Sequence, residues 1–177
     1  MIHIHDLCVA YNKAEVLDHV DLDIQTNETY GLIGLNGVGK TTLIKTILGL
    51  RGPNSGQIVY KSKDGDVVPY GSFQNRIAYL PERFEPPSFL LGHEFIKFSA
   101  KLYKKKLLDS EIKATIESLE LDYSVLKRGV NTYSKGMRQK LGLTATILTG
   151  CDVLILDEPM SGLDPQARVC VKNNIKK

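Results

Sequence analysis

From residue 34 to residue 43 the chain reads GLNGVGKTTL, directly after the apolar run Tyr30 to Ile33. Gly34-x-x-x-x-Gly39-Lys40-Thr41 has the spacing of a phosphate loop. In such a loop, glycines let consecutive backbone N–H groups converge on phosphate oxygens that side chains would otherwise obstruct. A helix starting near Lys40 adds its positive N-terminal end. Lys40 is placed to reach the β and γ phosphates, and the Thr41 hydroxyl to ligate Mg²⁺. The candidate nucleotide contacts are therefore Gly34, Leu35, Asn36, Gly37, Val38, Gly39, Lys40, Thr41 and Thr42. A tight glycine-rich turn would account for the glycines but not for Lys-Thr at this spot.

The second constellation is DVLILDEP, where Asp157 and Glu158 end the apolar run Val153 to Leu156. Two carboxylates at the carboxyl edge of a buried parallel strand stand where α/β proteins build their sites. Asp157 is the candidate Mg²⁺ partner, and Glu158 the base that polarises a water for attack on a γ-phosphate. A surface turn before Pro159 is the plainer alternative.

These residues need elements to hold them. Thr29 to Gly34 is apolar at successive positions, as a strand covered on both sides would be, and Thr41 to Leu50 reads as a helix closed by RGPNSG. Val20 to Ile24 alternates, and Ile2 and Ile4 begin a similar pattern that Asp6 interrupts. Gln57 to Tyr60 and Ile77 to Leu80 read as a short strand pair, joined by a polar stretch with a turn at Asp64 and Gly65. After PERFEPP the chain becomes mainly helical, over Gly92 to Lys105 and Ser110 to Leu121. Met137, Leu141, Ala145 and Leu148 then fall on one helical stripe behind an N-cap at Ser134. Val153 to Leu156 reads as a buried strand, and Gln166 to Lys177 begins a last helix.

Composition sets the outer limits. The 177 residues, 42% hydrophobic and 24% charged with a formal net charge of +3, fit one globular domain. The cluster of lysines from Lys97 to Lys106 reads as a solvated helix face, and no long basic tract points to nucleic acid. Cys8, Cys151 and Cys170 lack the paired spacing of a metal knuckle or a disulfide framework, which suits a reducing, cytoplasmic compartment. His3 and His5 alternate on a strand without a third ligand nearby, so no metal pair is read there. The N-terminal residues have no leader pattern, and no run approaches the ~18 apolar residues of a membrane span. Any membrane role is expected to come through a partner.

A phosphate loop, then YSKGM (Tyr133 to Met137), then LILDEP and SGLD in that order resembles the nucleotide-binding cassette of ABC transporters over nearly the whole chain. The resemblance implies an α/β P-loop NTPase fold: a RecA-like, mostly parallel sheet core with a small antiparallel β section and an inserted helical subdomain. The core would span 1–82 and 150–177, and the subdomain 83–149. It further implies an ATP-binding, ATP-hydrolysing subunit, peripheral on the cytosolic face of the membrane. The partners would be a second cassette, in a homodimer or heterodimer, and a membrane permease. YSKGM resembles the signature loop, with Ser134 and Gly136 kept while Lys135 and Met137 depart from the usual Gly and Gln. In the family this segment faces the ATP of the opposite subunit. SGLD resembles the D-loop, with Asp164 at the subunit boundary. Tyr11 sits where an aromatic stacks on adenine, its alternative being a packing residue. YSKGMRQKL together with YLPER resembles cassettes of ABC-2 type exporters.

Two departures from the family stand out. The glutamine expected after RIAYL is Glu82, which can still face Mg²⁺ unless it is a solvated loop acid. The switch histidine falls beyond Lys177, and none of His3, His5, His19 or His93 replaces it. The strand leading to that histidine is expected between Tyr30–Ile33 and Val153–Leu156, leaving these two about 10 Å apart. A second function class follows, a nucleotide-binding or regulatory module without turnover. A third, a soluble ABC protein acting on ribosomes or DNA, would require two cassettes or a long coiled-coil insertion.

Overall fold

Ile2, Ile4, Leu7 and Val9 are each almost fully buried and form the inner face of strand β1, Ile2–Tyr11. At Asp6 the backbone turns left-handed, φ 53°, and the buried positions change from even to odd numbers. A β-bulge inserts one residue and shifts the side-chain alternation in this way. The interruption at Asp6 is thus a bulge inside one long strand and does not end it.

The computed structural model describes residues 1–12, 14–62, 64–69 and 72–175 and comprises two compact units, Met1–Arg76 and Ile77–Lys177. In the first unit, β1 lies between β2, Ala14–Ile24, and β3, Ser55–Lys61. The short β4, Val67–Val68, follows on the far side of β3, completing an antiparallel sheet in the order β2-β1-β3-β4. Helix α1, Lys40–Ile47, buries Leu43, Ile44 and Ile47. The Tyr60 hydroxyl donates to the Ile47 carbonyl at the end of that helix, and its ring stacks on Phe73 at 3.6 Å between centroids.

Residues 29–34 do not form the buried strand that their composition predicts. Among the described residues no strand pairs with them, and Ile33 is 94% exposed. An apolar run becomes a covered strand only when neighbours supply both the backbone ladder and the two covering faces.

In the second unit, β5, Ile77–Leu80, pairs in parallel with β6, Val153–Leu156, in the register Ile77↔Val153 to Leu80↔Leu156. The expected pairing of Ile77–Leu80 with Gln57–Tyr60 is therefore corrected: Gln57–Tyr60 belongs to β3 and pairs with β1, and Tyr60 also with β4. Ile77, Ala78 and Leu80 are all buried, a continuous pattern that suits a parallel partner better than a half-wet hairpin. Strand β6 is only half covered, with Leu154 38% exposed, because β5 is its one partner among the described residues.

Helices α2, Gly92–Leu102, and α3, Asp109–Ser118, end a few residues before the predicted limits. Each has a glutamate at its third position that accepts a backbone N–H three residues back, Glu94 from Leu91 at 2.9 Å and Glu111 from Leu108 at 2.7 Å. Both pack on α4, Lys135–Leu148. Leu141, Ala145 and Leu148 join Phe95, Ile96, Ile112 and Ile116 in one core, as the stripe predicts. Leu143 turns to a second core with Leu80, Leu163, Ala167 and Val171. Two of these come from α5, Pro165–Ile175; Lys176 and Lys177 of the predicted last helix lie outside the described residues. Gly142 permits close approach between the cores, since a Cβ there would lie 2.7 Å from Leu80 and 2.8 Å from Phe84. Among the described residues no helix is long and apolar enough to cross a membrane.

Candidate functional site

Gly34 to Thr42 forms the loop that enters α1. Gly37 (φ 86°) and Gly39 (φ 100°) hold left-handed conformations, which side chains disfavour. Gly39 is the N-cap of α1, and a Cβ there would stand 2.8 Å from the Val16 carbonyl oxygen and 2.9 Å from Leu17 Cδ2. No side chain caps this helix and no acid sits in its first turn. Its leading N–H groups are thereby offered to an acceptor from outside the helix. Lys40 reaches back over the loop, its Nζ donating to the Gly34 carbonyl at 2.6 Å and the Leu35 carbonyl at 2.8 Å. Leu35, Asn36, Val38 and Thr41 are exposed, whereas Thr42 is buried and its carbonyl accepts the Thr46 hydroxyl at 2.8 Å.

In the same unit Tyr11 ends β1 and is 40% exposed. The Arg51 guanidinium lies 4.6 Å from the centre of its ring and also donates to the Ala10 carbonyl at 2.7 Å. One ring face therefore stacks on a cation, which fixes the ring's plane.

The carboxylates belong to the second unit. The Asp157 N–H donates to the Leu80 carbonyl at 2.9 Å, extending the β5–β6 ladder by one step. This pins Asp157 at the carboxyl end of the parallel pair. The Tyr79 hydroxyl donates to Asp157 Oδ2 at 3.4 Å. Burial first, then the Asp157 charge and hydrogen bond and the Glu82 charge, push the Tyr79 phenol above its ordinary value. Tyr79 thus stays a neutral donor. Glu82 is exposed just beyond β5. Glu158 is exposed and left-handed at φ 50°, and its carbonyl accepts the Ser161 N–H at 3.0 Å. A non-glycine residue in this region stores strain of order 1–3 kcal/mol, and such residues cluster at working sites.

Ser134 caps α4, its Oγ accepting the Met137 N–H at 3.2 Å. The residues around it hold the segment that follows the carboxylates. Lys135 Nζ donates to Ser161 Oγ at 3.2 Å, and Gln139 Nε2 to the Pro159 carbonyl at 3.2 Å. A Cβ on Gly136 would lie 3.1 Å from the Gly162 carbonyl oxygen, so the two backbones run close together. Asp164 acts locally. Its Oδ1 accepts the Ala167 N–H at 2.8 Å, capping α5 just ahead of Pro165. That bond leads the causes holding its carboxyl below the ordinary value.

A family profile described as ABC transporter matches residues 17–161, most of the chain. The chain belongs to the ABC transporter family. An ABC transporter ATP-binding protein of Bacillus subtilis, YdbJ, is 35% identical over 99% of this chain and 56% of its own length. The zinc import ATP-binding protein ZnuC of Psychrobacter arcticus is 35% identical over 96% of this chain and 64% of its own. The chain thus spans between half and two-thirds of these relatives. A solved structure from Pyrococcus furiosus, a putative ABC transporter ATP-binding protein, superposes with a TM-score of 0.87 at 32% identity, covering 99% of this chain and 84% of that one. The ABC cassette fold, a P-loop NTPase of mixed α/β architecture, is thereby established for this chain.

Arg51, Tyr79 and Gln139 are neighbours of the candidate residues that the sequence alone does not single out. Arg51 lies in a stretch that reads as a helix stop, Tyr79 inside an apolar strand, and Gln139 on a helix with a dominant apolar stripe. Lys135 does carry a signal, as a departure from the usual signature glycine, without a partner to explain it. Each acts through a contact distant in sequence, Gln139 to Pro159 being the shortest span, and neither periodicity nor a short motif encodes that.

Proposed function

We propose that this chain binds and hydrolyses MgATP as one of two paired cassettes that energise transport through a separate membrane permease, from the cytosolic face. The observation that carries the proposal is the entry to α1: a loop with two left-handed glycines, a helix start without a side-chain cap, and a lysine folded over the loop. This donor set fits an anion of several oxygens. When phosphate is bound, Lys40 exchanges its two carbonyl contacts for charge-assisted bonds to oxygen anions, which are the stronger kind. Tyr11 offers adenine the ring face that Arg51 does not cover.

Mg²⁺, when bound, would neutralise charge on the β and γ phosphates. By the family resemblance its ligands would come from the Thr41 hydroxyl in the first unit and from Asp157 and Glu82 in the second, each an oxygen donor of the kind a hard cation takes. Glu158 takes the proton of the attacking water. Ser134 and Gly136 serve the γ-phosphate held by a second cassette, with the N-terminus of α4 as the positive end. Residues 83–149 act as the subdomain that carries this segment. A relative named for zinc import supports the transport reading over a module that holds nucleotide without turnover.

The test is Glu158→Gln. The amide keeps the shape and cannot accept the proton, so phosphate release falls by about 100-fold or more while MgATP binding persists. Turnover at the wild-type rate would remove Glu158 from the role of base.

A further inference from the structure

We propose that Cys8, Asp18 and His19 form a binding site for a borderline divalent cation of the Zn²⁺ class, on the antiparallel sheet and separate from the nucleotide residues. One ligand atom from each of the three lies within 4.8 Å of the other two. The register explains how residues so far apart in sequence meet. Leu7 pairs with Val20 and Val9 with Leu17, so Cys8 of β1 stands opposite two residues of β2, Asp18 and His19. A bulge of this kind re-aims side chains, and His19 takes a left-handed backbone at φ 46° within it.

The neighbouring bulge supplies the orientation. His5 and Asp6 of β1 stand between the pairs Ile4↔Leu22 and Leu7↔Val20, and the Asp6 carboxylate is hydrogen-bonded to His19 Nδ1. That leaves Nε2 as the ligating nitrogen, 3.7 Å from Asp18 Oδ1. A carboxylate holding the far nitrogen of a histidine is the usual support of a metal-bound imidazole. The His19 N–H also donates to Cys8 Sγ at 3.3 Å, which stabilises sulfur as it becomes a thiolate. The contact surrendered is the long one from the thiol to the Asp6 carbonyl, 3.8 Å.

Thiolate, imidazole and carboxylate in one set select Zn²⁺ and its neighbours over Mg²⁺ and Ca²⁺, which take oxygen ligands. In a tetrahedral site with bonds of about 2.0–2.3 Å, ligand atoms stand about 3.3–3.8 Å apart. Side-chain rotation of the exposed Asp18 and His19 closes the remaining gap, and a water completes the fourth position. His3 and His5 are not members: they are engaged with Asp23 at 2.6 Å and Asp21 at 2.8 Å. The ion would join β1 to β2 across the double bulge.

Co²⁺ serves as the spectroscopic probe, titrated into the reduced chain in excess Mg²⁺, which saturates all-oxygen sites. We expect one equivalent bound with a near-ultraviolet thiolate charge-transfer band that Zn²⁺ bleaches. Cys8→Ser abolishes the band, and His19→Gln weakens Co²⁺ binding by more than about tenfold. Asp6→Asn, which leaves the three ligands in place, weakens binding by about 10–100-fold. A double variant, Cys151→Ser with Cys170→Ser, keeps the wild-type band, and Zn²⁺ raises the Tm of wild type but not of Cys8→Ser. No thiolate band at saturating Co²⁺, undiminished affinity in Cys8→Ser or His19→Gln, or a band lost with Cys151 and Cys170 would each overturn the proposal.

Discussion

Replacing Gly39 with alanine separates two costs that glycine avoids in this loop. At φ 100° the residue is left-handed, and an alanine there costs about 1–2 kcal/mol for conformation alone. The new Cβ would also stand 2.8 Å from the Val16 carbonyl oxygen and 2.9 Å from Leu17 Cδ2. One of these neighbours is backbone in β2, so the strand or the helix start must shift, at about 1–3 kcal/mol by analogy with overpacked cores. Together these make about 2–5 kcal/mol, a large share of a domain stability of about 5–15 kcal/mol. Gly37→Ala is the control, since it shares the left-handed backbone at φ 86° but meets nothing within 4 Å. It should cost only the conformational part. Gly31→Ala, with open space and an ordinary φ, should cost little. Urea unfolding of the three variants measures the differences as shifts in midpoint at constant slope. A Gly39→Ala variant no less stable than Gly37→Ala would refute the packing of the loop against β2.

Tyr11→Ala should weaken ATP binding by about 1–3 kcal/mol, the range for a base stacked on an aromatic side chain; equal affinity would return Tyr11 to packing against Arg51. Ser134→Ala removes the acceptor of the Met137 N–H and should lower stability by about 0.5–2 kcal/mol, read from chemical denaturation. Asp164 is held below its ordinary pKa, chiefly by the Ala167 N–H. Its contribution is therefore complete above the unfolded value of about 3.9 and is lost as pH falls through the lower folded value. Asp164→Ala should be less stable than wild type at neutral pH and converge with it in acid; a gap that stays constant down to about pH 2 would show that the charged cap is not what is lost.

The motifs were legible because phosphate chemistry dictates both residue type and spacing. A glycine that must turn left-handed and a lysine that must follow it are written in consecutive letters, and the Ser134 cap and its stripe are fixed by helical period. Pairing was less legible. Ile77–Leu80 is apolar enough for either partner, and the choice of Val153–Leu156 depends on a helical section between them that brings the chain back in parallel. Tyr30–Ile33 carries the letters of a covered strand, but coverage is a property of neighbours. The bulge at Asp6 was visible only as an interruption of alternation and the one at His19 not at all, so Cys8, Asp18 and His19 could not be seen to meet. Asp164 illustrates a motif residue with a local role, since capping before Pro165 is also a spelling of a helix start.

The most direct test of the central claim is equilibrium titration of wild type and Lys40→Ala with MgATP. The Lys40 side chain spans the loop and would be the ammonium donor to the expected phosphates, so its loss should weaken binding about tenfold or more, the scale of a lost charge-assisted hydrogen bond. The melting profile without nucleotide should change little, because Gly34 and Leu35, whose carbonyls it engages, are exposed to water. Equal affinity of the two proteins for MgATP would contradict the account, for the Gly34–Thr42 loop would then not be where the phosphates bind.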